Sequence, residues 1–326
     1  MSEGAAGEAL RVFVKEGKVL LELAEQESRE GAVQDFIRQK ISIERRESLL
    51  GLIEAAARLY RRSLNTDYIQ IIQEVQLHGC LSVHCSLFHS LSVKRIQDAE
   101  DFWRRNTHCA ALQDALQDLQ QLQVQWDAFL QRLDAEAKLG TEALHRDQQL
   151  KHVPAETRLR DARTGRAVTL QQYLGGGKKI LLVLIRQFSC LLCRLHLQHL
   201  QDHQSTLDAH SVKVVVVSFG CEGGASHWLQ ETGCQYDLLL DPERKLYAAF
   251  GLGASVWKVL NFSNMLLYAE YVVNSLPFPR GLPNIQEDMF QLGGDFVVDE
   301  HGGVLFSHCC QSPTDRPPLQ DIISAL

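Results

Sequence analysis

No uninterrupted apolar stretch in this 326-residue sequence approaches the roughly 18 residues of a membrane-spanning helix. The strongest run, ILLVLI at 180–185, has the length of a strand. The opening segment, MSEGAAGEALRVFVKEGKVLLEL, has its apolar residues interrupted by Arg11, Lys15, Glu16 and Lys18, so it lacks the continuous core of a secretory signal. Net charge is −7, with 22% charged residues of both signs, so the basic stripe of a nucleic-acid binder is not expected. No block of five like charges marks a charged tail. These absences lead to the expectation of a cytoplasmic protein with neither membrane nor nucleic-acid partners. Nine cysteines, an odd number spread through a chain of this length, do not make a secreted disulfide scaffold, so mostly reduced thiols are expected. Cys80, Cys85 and Cys109 read as core or surface residues with no redox task.

The chain is long enough for two domains, and its halves read differently. Residues 1–150 contain no proline and few β-branched clusters, and are expected to form a helical bundle of four to five helices. Leu112, Leu116, Leu119, Leu122, Trp126, Phe129 and Leu133 recur every three or four residues, as do Leu49, Leu52, Ile53, Ala56, Leu59 and Tyr60. Each set is the stripe of an amphipathic helix. Further helices are expected around 7–26, 67–78 and 95–106. The glutamine-rich face between Gln113 and Gln131 reads as solvated surface; a coiled coil that binds a protein partner is the alternative. A linker follows at roughly 138–156.

Residues 151–326 alternate strand and helix. KKILLVLIR and VKVVVVSF at 212–219 are buried-strand runs, and YDLLLD a shorter one. CLLCRLHLQHLQDHQSTL, SHWLQETG and LQDIISAL are helical, and Phe296–Val298 with Val304–Phe306 flank a tight turn at Gly302 and Gly303. An α/β domain with a mixed central sheet flanked by helices is expected. The apolar SVWKVLNFSNMLLYAEYVV and the proline-rich SLPFPRGLPN are expected to form a helical insertion near 253–292, either a lid or docking surface near the redox site or a helix packed over the sheet edge.

RQFSCLLCRLHL, residues 186–197, places a Cys-x-x-Cys directly after the first of these strands. Ligand and redox sites of such sheets gather at the carboxyl ends of the strands. Cys190 is expected in the first turn of a helix, where unpaired N–H groups and the helix dipole favour a thiolate, with Cys193 one turn on. The first sulfur is expected to attack and the second to resolve. Arg186 and Arg194 bracket the pair as candidate thiolate stabilisers. Two alternatives stand beside redox chemistry: half of a zinc site, for which no second Cys-x-x-Cys exists, and a pair of inert core thiols. His196, His199 and His203 read as a solvent-facing polar stripe. Cys309 and Cys310, adjacent in an extended segment, point to opposite faces and read as bystanders.

The stretches LRDARTGRAVTLQQYLGGGKKILLVLIRQFSCLLCR, HWLQETGCQYDLLLDPERKLYAAFGLG and GGDFVVDEHGGVLFSH resemble the peroxiredoxin-like proteins of the AhpC/TSA class, over about 155–326. With the helical N-terminal region and the twin motif, the chain is most similar to the selenoprotein L family of the peroxiredoxin-like-2 group, whose motif carries selenocysteine at the positions of Cys190 and Cys193. The resemblance implies a thioredoxin-like fold and a thiol or selenol redox role, with a disulfide or peroxide substrate, an external thiol reductant, and no metal or organic cofactor. Several departures stand out, among them the absence of the family's loop proline between Arg186 and Cys190. Gln187 occupies the place, three residues before Cys190, where peroxiredoxins carry threonine, and Gly293 and Gly294 stand where thioredoxins carry a cis-proline. No arginine matches the family's distal peroxide-polarising residue. The competing expectation is a non-enzymatic protein whose helical region binds a partner and whose Cys-x-x-Cys senses redox state.

Overall fold

A computed structural model describes residues 3–41, 48–63, 110–139, 150–276 and 287–326. The helices expected at 67–78 and 95–106, most of the linker, Cys80, Cys85, Cys109 and most of the proline-rich loop lie outside the described residues. The chain divides into two compact units: residues 1–137 with 259–277, and residues 138–258 with 278–326.

The first unit is helical. It contains α1 (Glu3–Arg29), α2 (Gly51–Ser63) and α3 (Ala110–Ala137). The predicted stripes form its core: Leu49, Leu52, Ala56 and Leu59 of one and Leu122, Trp126, Phe129 and Leu133 of the other are buried. The glutamines at 117, 120, 121, 123, 125 and 131 are exposed, as a solvated face requires.

A further helix of this unit, Phe262–Val273, comes from far along the chain, within the segment expected to be an insertion into the second domain. Its apolar side decides the placement. Phe262 is buried against Phe13 and Trp126, with ring centroids 6.2 and 6.4 Å apart. Asp127 accepts a hydrogen bond from the Phe262 N–H at 2.8 Å, and the Trp126 indole donates to the Leu260 carbonyl at 2.9 Å.

The second unit is built on a seven-stranded mixed sheet. Its strands are β1 (Arg158–Asp161), β2 (Ala167–Thr169), β3 (Lys179–Leu184), β4 (Val212–Ser218), β5 (Asp237–Leu240), β6 (Gly294–Val298) and β7 (Val304–Cys309). Their order across the sheet is β2-β1-β5-β4-β3-β6-β7. The three central strands β5, β4 and β3 run parallel, and the outer neighbours are antiparallel. The central strands are apolar at nearly every position because both faces are covered. Leu181, Val183 and Ile185 face one layer, with Leu197, Leu200 and Trp228. Ile180, Leu182 and Leu184 face the other, with Leu246, Tyr247 and Phe250.

Helices α4 (Leu191–Asp202), α5 (Gln204–Ala209) and α6 (Glu222–Thr232) connect the parallel strands. Gly233 ends α6 with a φ of 62°, a left-handed conformation that glycine adopts without strain. Helices α7 (Lys245–Ala249) and α8 (Val256–Leu260) follow β5, α9 is the Phe262–Val273 helix, and α10 (Leu319–Ser324) closes the chain. The expected α/β thioredoxin-like architecture, preceded by a mostly helical region, is therefore observed.

Candidate redox site

The Tyr247 hydroxyl, buried on one face of the sheet, donates to the carbonyls of Ile185 and Val217 at 2.6 and 3.1 Å. It ties together the carboxyl ends of β3 and β4. From that fixed point the chain turns through Arg186–Ser189 and enters α4, with Cys190 as its N-cap. Cys190 has extended backbone angles, and its sulfur accepts a hydrogen bond from the Cys193 N–H at 3.2 Å. A sulfur thus takes the role that serine or aspartate oxygens usually play at helix starts.

Cys193, one turn inside, has the more cationic surroundings. Its Sγ lies 3.5 Å from the backbone N–H of Arg186 and 3.5 Å from Nη2 of Arg316. The Arg186 guanidinium approaches the other sulfur, with Nη1 3.8 Å from Cys190 Sγ. Both cysteines are free thiols, 4% and 1% exposed.

Burial alone pushes both thiols up. At Cys193 it is outweighed by a hydrogen bond from Cys190 and by the charges of Arg316 and Arg186, which hold this thiol well below the ordinary cysteine range. At Cys190 burial dominates, and proximity to the Cys193 charge adds to it, so this thiol lies well above that range. The groups that favour a charged sulfur therefore gather at Cys193 as well as at the N-terminal Cys190 to which the sequence points, because a second arginine arrives from residue 316, far along the chain.

The two arginines predicted from the motif part ways. Arg186 reaches Cys190, and its guanidinium also donates to the carbonyls of Met289 and Gln291. Arg194 points away from the sulfurs. Its Nε and Nη2 bind the Phe188 carbonyl at 3.0 and 2.9 Å, and Nη2 also meets Glu231 Oε2 at 2.8 Å. It braces the loop that carries Cys190.

Several site residues escaped sequence reasoning. Arg316 donates to Asp295 Oδ2 at 2.8 Å and to the Leu184 carbonyl at 3.3 Å. Asp295 is fully buried and also meets His196 Nε2 at 2.7 Å. His196 is therefore turned into the core, unlike the solvent-facing stripe expected for it. Glu287 accepts bonds from the Phe188 and Ser189 N–H groups at 2.7 and 3.3 Å.

Gly293 explains how these pieces approach so closely. A Cβ there would lie 2.3 Å from the Leu184 carbonyl oxygen and 2.8 Å from Arg316 Nη2. Cys309 and Cys310 diverge as adjacent strand residues do: Cys309 lies against the Phe250 carbonyl, while Cys310 is buried and feels the charges of Arg316 and Cys193. One signal for the network was legible: an aspartate at position 295 inside an otherwise apolar strand. Arg316, among the prolines of a loop, gave none.

A family model described as AhpC/TSA antioxidant enzyme matches residues 199–312, a span that begins just after Cys193. The chain is 30% identical over 175 residues to prostamide/prostaglandin F synthase of Bos taurus, covering 52% of this chain and 83% of that protein. The chain belongs to the AhpC/TSA peroxiredoxin-like family. The synthase of Salmo salar is 29% identical over 177 residues, covering 53% of this chain and 86% of the relative. Peroxiredoxin-like 2C of Mus musculus is 23% identical over 184 residues, covering 55% and 80%. Membership of this family makes the chain, in general terms, an oxidoreductase with a thioredoxin-like fold. Among the described residues no helix is long and apolar enough to cross a membrane.

Proposed function

We propose that this protein is a thiol-disulfide oxidoreductase of the selenoprotein L type, in which Cys190 and Cys193 cycle between a dithiol and an intramolecular disulfide while reducing a peroxide. The observation that carries the reading is the placement of Cys193 Sγ between the Arg186 N–H and the Arg316 guanidinium, with Cys190 one helical turn away. Thiolate character under cationic surroundings is what makes a cysteine nucleophilic.

The Cys193 thiolate attacks the distal oxygen of a hydroperoxide. The O–O bond breaks, Cys193 becomes a sulfenic acid, and the leaving alkoxide takes a proton to become an alcohol. The Cys190 thiol then displaces water from the sulfenic acid, forming the disulfide. Two equivalents of an external thiol return the pair to the dithiol and are themselves oxidised. No metal or organic cofactor enters this sequence. Arg186 and Arg316 stabilise the charged sulfur, and Arg194 holds the loop. Where selenocysteine occupies the two motif positions, the same steps run on a more acidic and more nucleophilic selenol.

Both sulfurs are buried, and the loop that carries them is bonded to residues 287–291 through Arg186, Phe188 and Ser189, so reaction with anything larger than a small peroxide is expected to need movement of that segment. The relatives are named for prostamide and prostaglandin F synthesis, so the substrate of that synthesis belongs in the test set beside a small hydroperoxide. The test follows hydroperoxide consumption by the full chain with excess dithiothreitol. Turnover is expected in the wild type and lost in Cys193→Ser. Consumption no faster than in the Cys190→Ser/Cys193→Ser double variant rejects the reading in favour of a redox-sensing or partner-binding role.

A further inference from the structure

Behind Cys193 a chain of buried polar groups runs from α4 to β6 and on to the loop before α10. His196 Nε2 lies 2.7 Å from Asp295 Oδ1, and Asp295 Oδ2 accepts from Arg316 Nη1 at 2.8 Å. Nη2 of the same guanidinium faces the Leu184 carbonyl at 3.3 Å and Cys193 Sγ at 3.5 Å. The Asp295 side chain has no exposed surface, and those of His196 and Arg316 are 6% and 8% exposed. We infer that His196 is a positioning residue for the Cys193 thiolate, acting through Asp295 and Arg316. The inference rests on the proposed reading in which Cys193 is the charged sulfur.

Two anions compete for one guanidinium. Arg316 stands between two anions, Asp295 and Cys193, in a site shielded from water. A buried carboxylate with one donor draws a guanidinium into a two-pronged pair, because both of its oxygens need hydrogen bonds. The N–H of His196, on the far oxygen, supplies the second donor. Asp295 then takes only Nη1, and Nη2 stays turned toward Leu184 and the sulfur. Without that donor, Nη2 is expected to swing onto Oδ1 and leave Cys193.

Several charged and titratable groups surround this chain, and at its sulfur end Cys190, Glu287 and Tyr247 also face Cys193. Asp295 faces His196 from β6, and His199 and Cys193 lie on its own helix. Arg316 enters from the loop before α10, and Cys310 and Arg186 face the end of the chain at Arg316 and Cys193.

The test compares full-length wild type with His196→Gln and His196→Asn, following thiolate absorbance near 240 nm against pH. The matching Cys193→Ser variant of each is subtracted to isolate one sulfur. Glutamine places an amide N–H about where Nε2 lies; asparagine stops short of it. His196→Asn is expected to raise the midpoint of Cys193 by about one unit, a tenfold loss of thiolate at a pH below both midpoints. His196→Gln is expected to restore it to within a few tenths. Equal midpoints in all three proteins, with thermal stability lowered in the asparagine variant, overturn the inference and leave His196 a structural partner of Asp295. A wild-type signal that Cys193→Ser does not remove defeats the assignment of the charged sulfur. That failure is visible before His196 is altered, so the two are told apart.

Discussion

Asp295 has no contact with water, yet it is held ionised. Burial opposes its charge, but His196 and Arg316 outweigh burial and keep its carboxyl well below the usual range. The sign of the consequence follows from linkage: the unfolded chain binds the proton more readily than the folded one. The stability Asp295 contributes is therefore present above the unfolded carboxylate range, near pH 4, and is lost as pH falls below it toward the folded value. Thermal melts of wild type and Asp295→Asn between about pH 2 and 6 are expected to converge at the acid end. Parallel curves would show that the charge of Asp295 carries no stability. At neutral pH, Asp295→Ala strands a buried guanidinium and is expected to cost about 3–5 kcal/mol in denaturant unfolding. The motif marked Cys190, Cys193 and Arg186 from local sequence alone. It could not mark the second arginine at the pair, because that residue lies 123 residues beyond Cys193.

The site depends on two elements that meet: the loop-to-helix corner at Phe188–Cys190 and the segment 287–291 laid against it. Glu287 caps the corner through its bonds to Phe188 and Ser189, while Arg186 grips the carbonyls of Met289 and Gln291. Arg244 anchors the segment from outside through Asp288 at 2.7 Å. Burial, only partly offset by the loop N–H groups, raises the Glu287 carboxyl above its usual range. Its proton is therefore taken up at a higher pH in the folded protein, and uptake weakens the charge-assisted bonds that hold the corner. Glu287→Ala is expected to speed reaction of the buried sulfurs with a bulky disulfide reagent several-fold at neutral pH. An unchanged rate would show that the segment does not limit access. The elements themselves were largely legible: unbroken runs of valine and leucine specify strands covered on both faces, and the Gly302–Gly303 turn specifies the hairpin. The segment at 287–291 was not, because its work is done mostly by backbone carbonyls and one carboxylate, which leave no periodic pattern.

At the scale of the whole molecule the chain is interleaved. It builds helices, then most of the sheet, then gives residues 259–277 to the helical unit before completing the sheet with β6 and β7. A division at residue 150, which composition suggests, follows the change of pattern but not the packing. The apolar side of α9 is satisfied by Phe13 and Trp126, residues that no local window relates to it. Phe262→Ala is expected to cost the helical unit about 3–5 kcal/mol, read in the full chain as earlier loss of helical circular dichroism. Loss under 1 kcal/mol would deny α9 its place in that core. Oxidation mapping tests the proposed charge on Cys193 most directly. The reduced full-length protein is treated with one equivalent of hydrogen peroxide, trapped with dimedone, and its peptides are read by mass spectrometry. A Cys190–Cys193 bridge is expected in the wild type, a dimedone adduct on Cys193 in Cys190→Ser, and no adduct on Cys190 in Cys193→Ser. An adduct on Cys190 in Cys193→Ser, with Cys193 left unmodified in Cys190→Ser, would contradict the account.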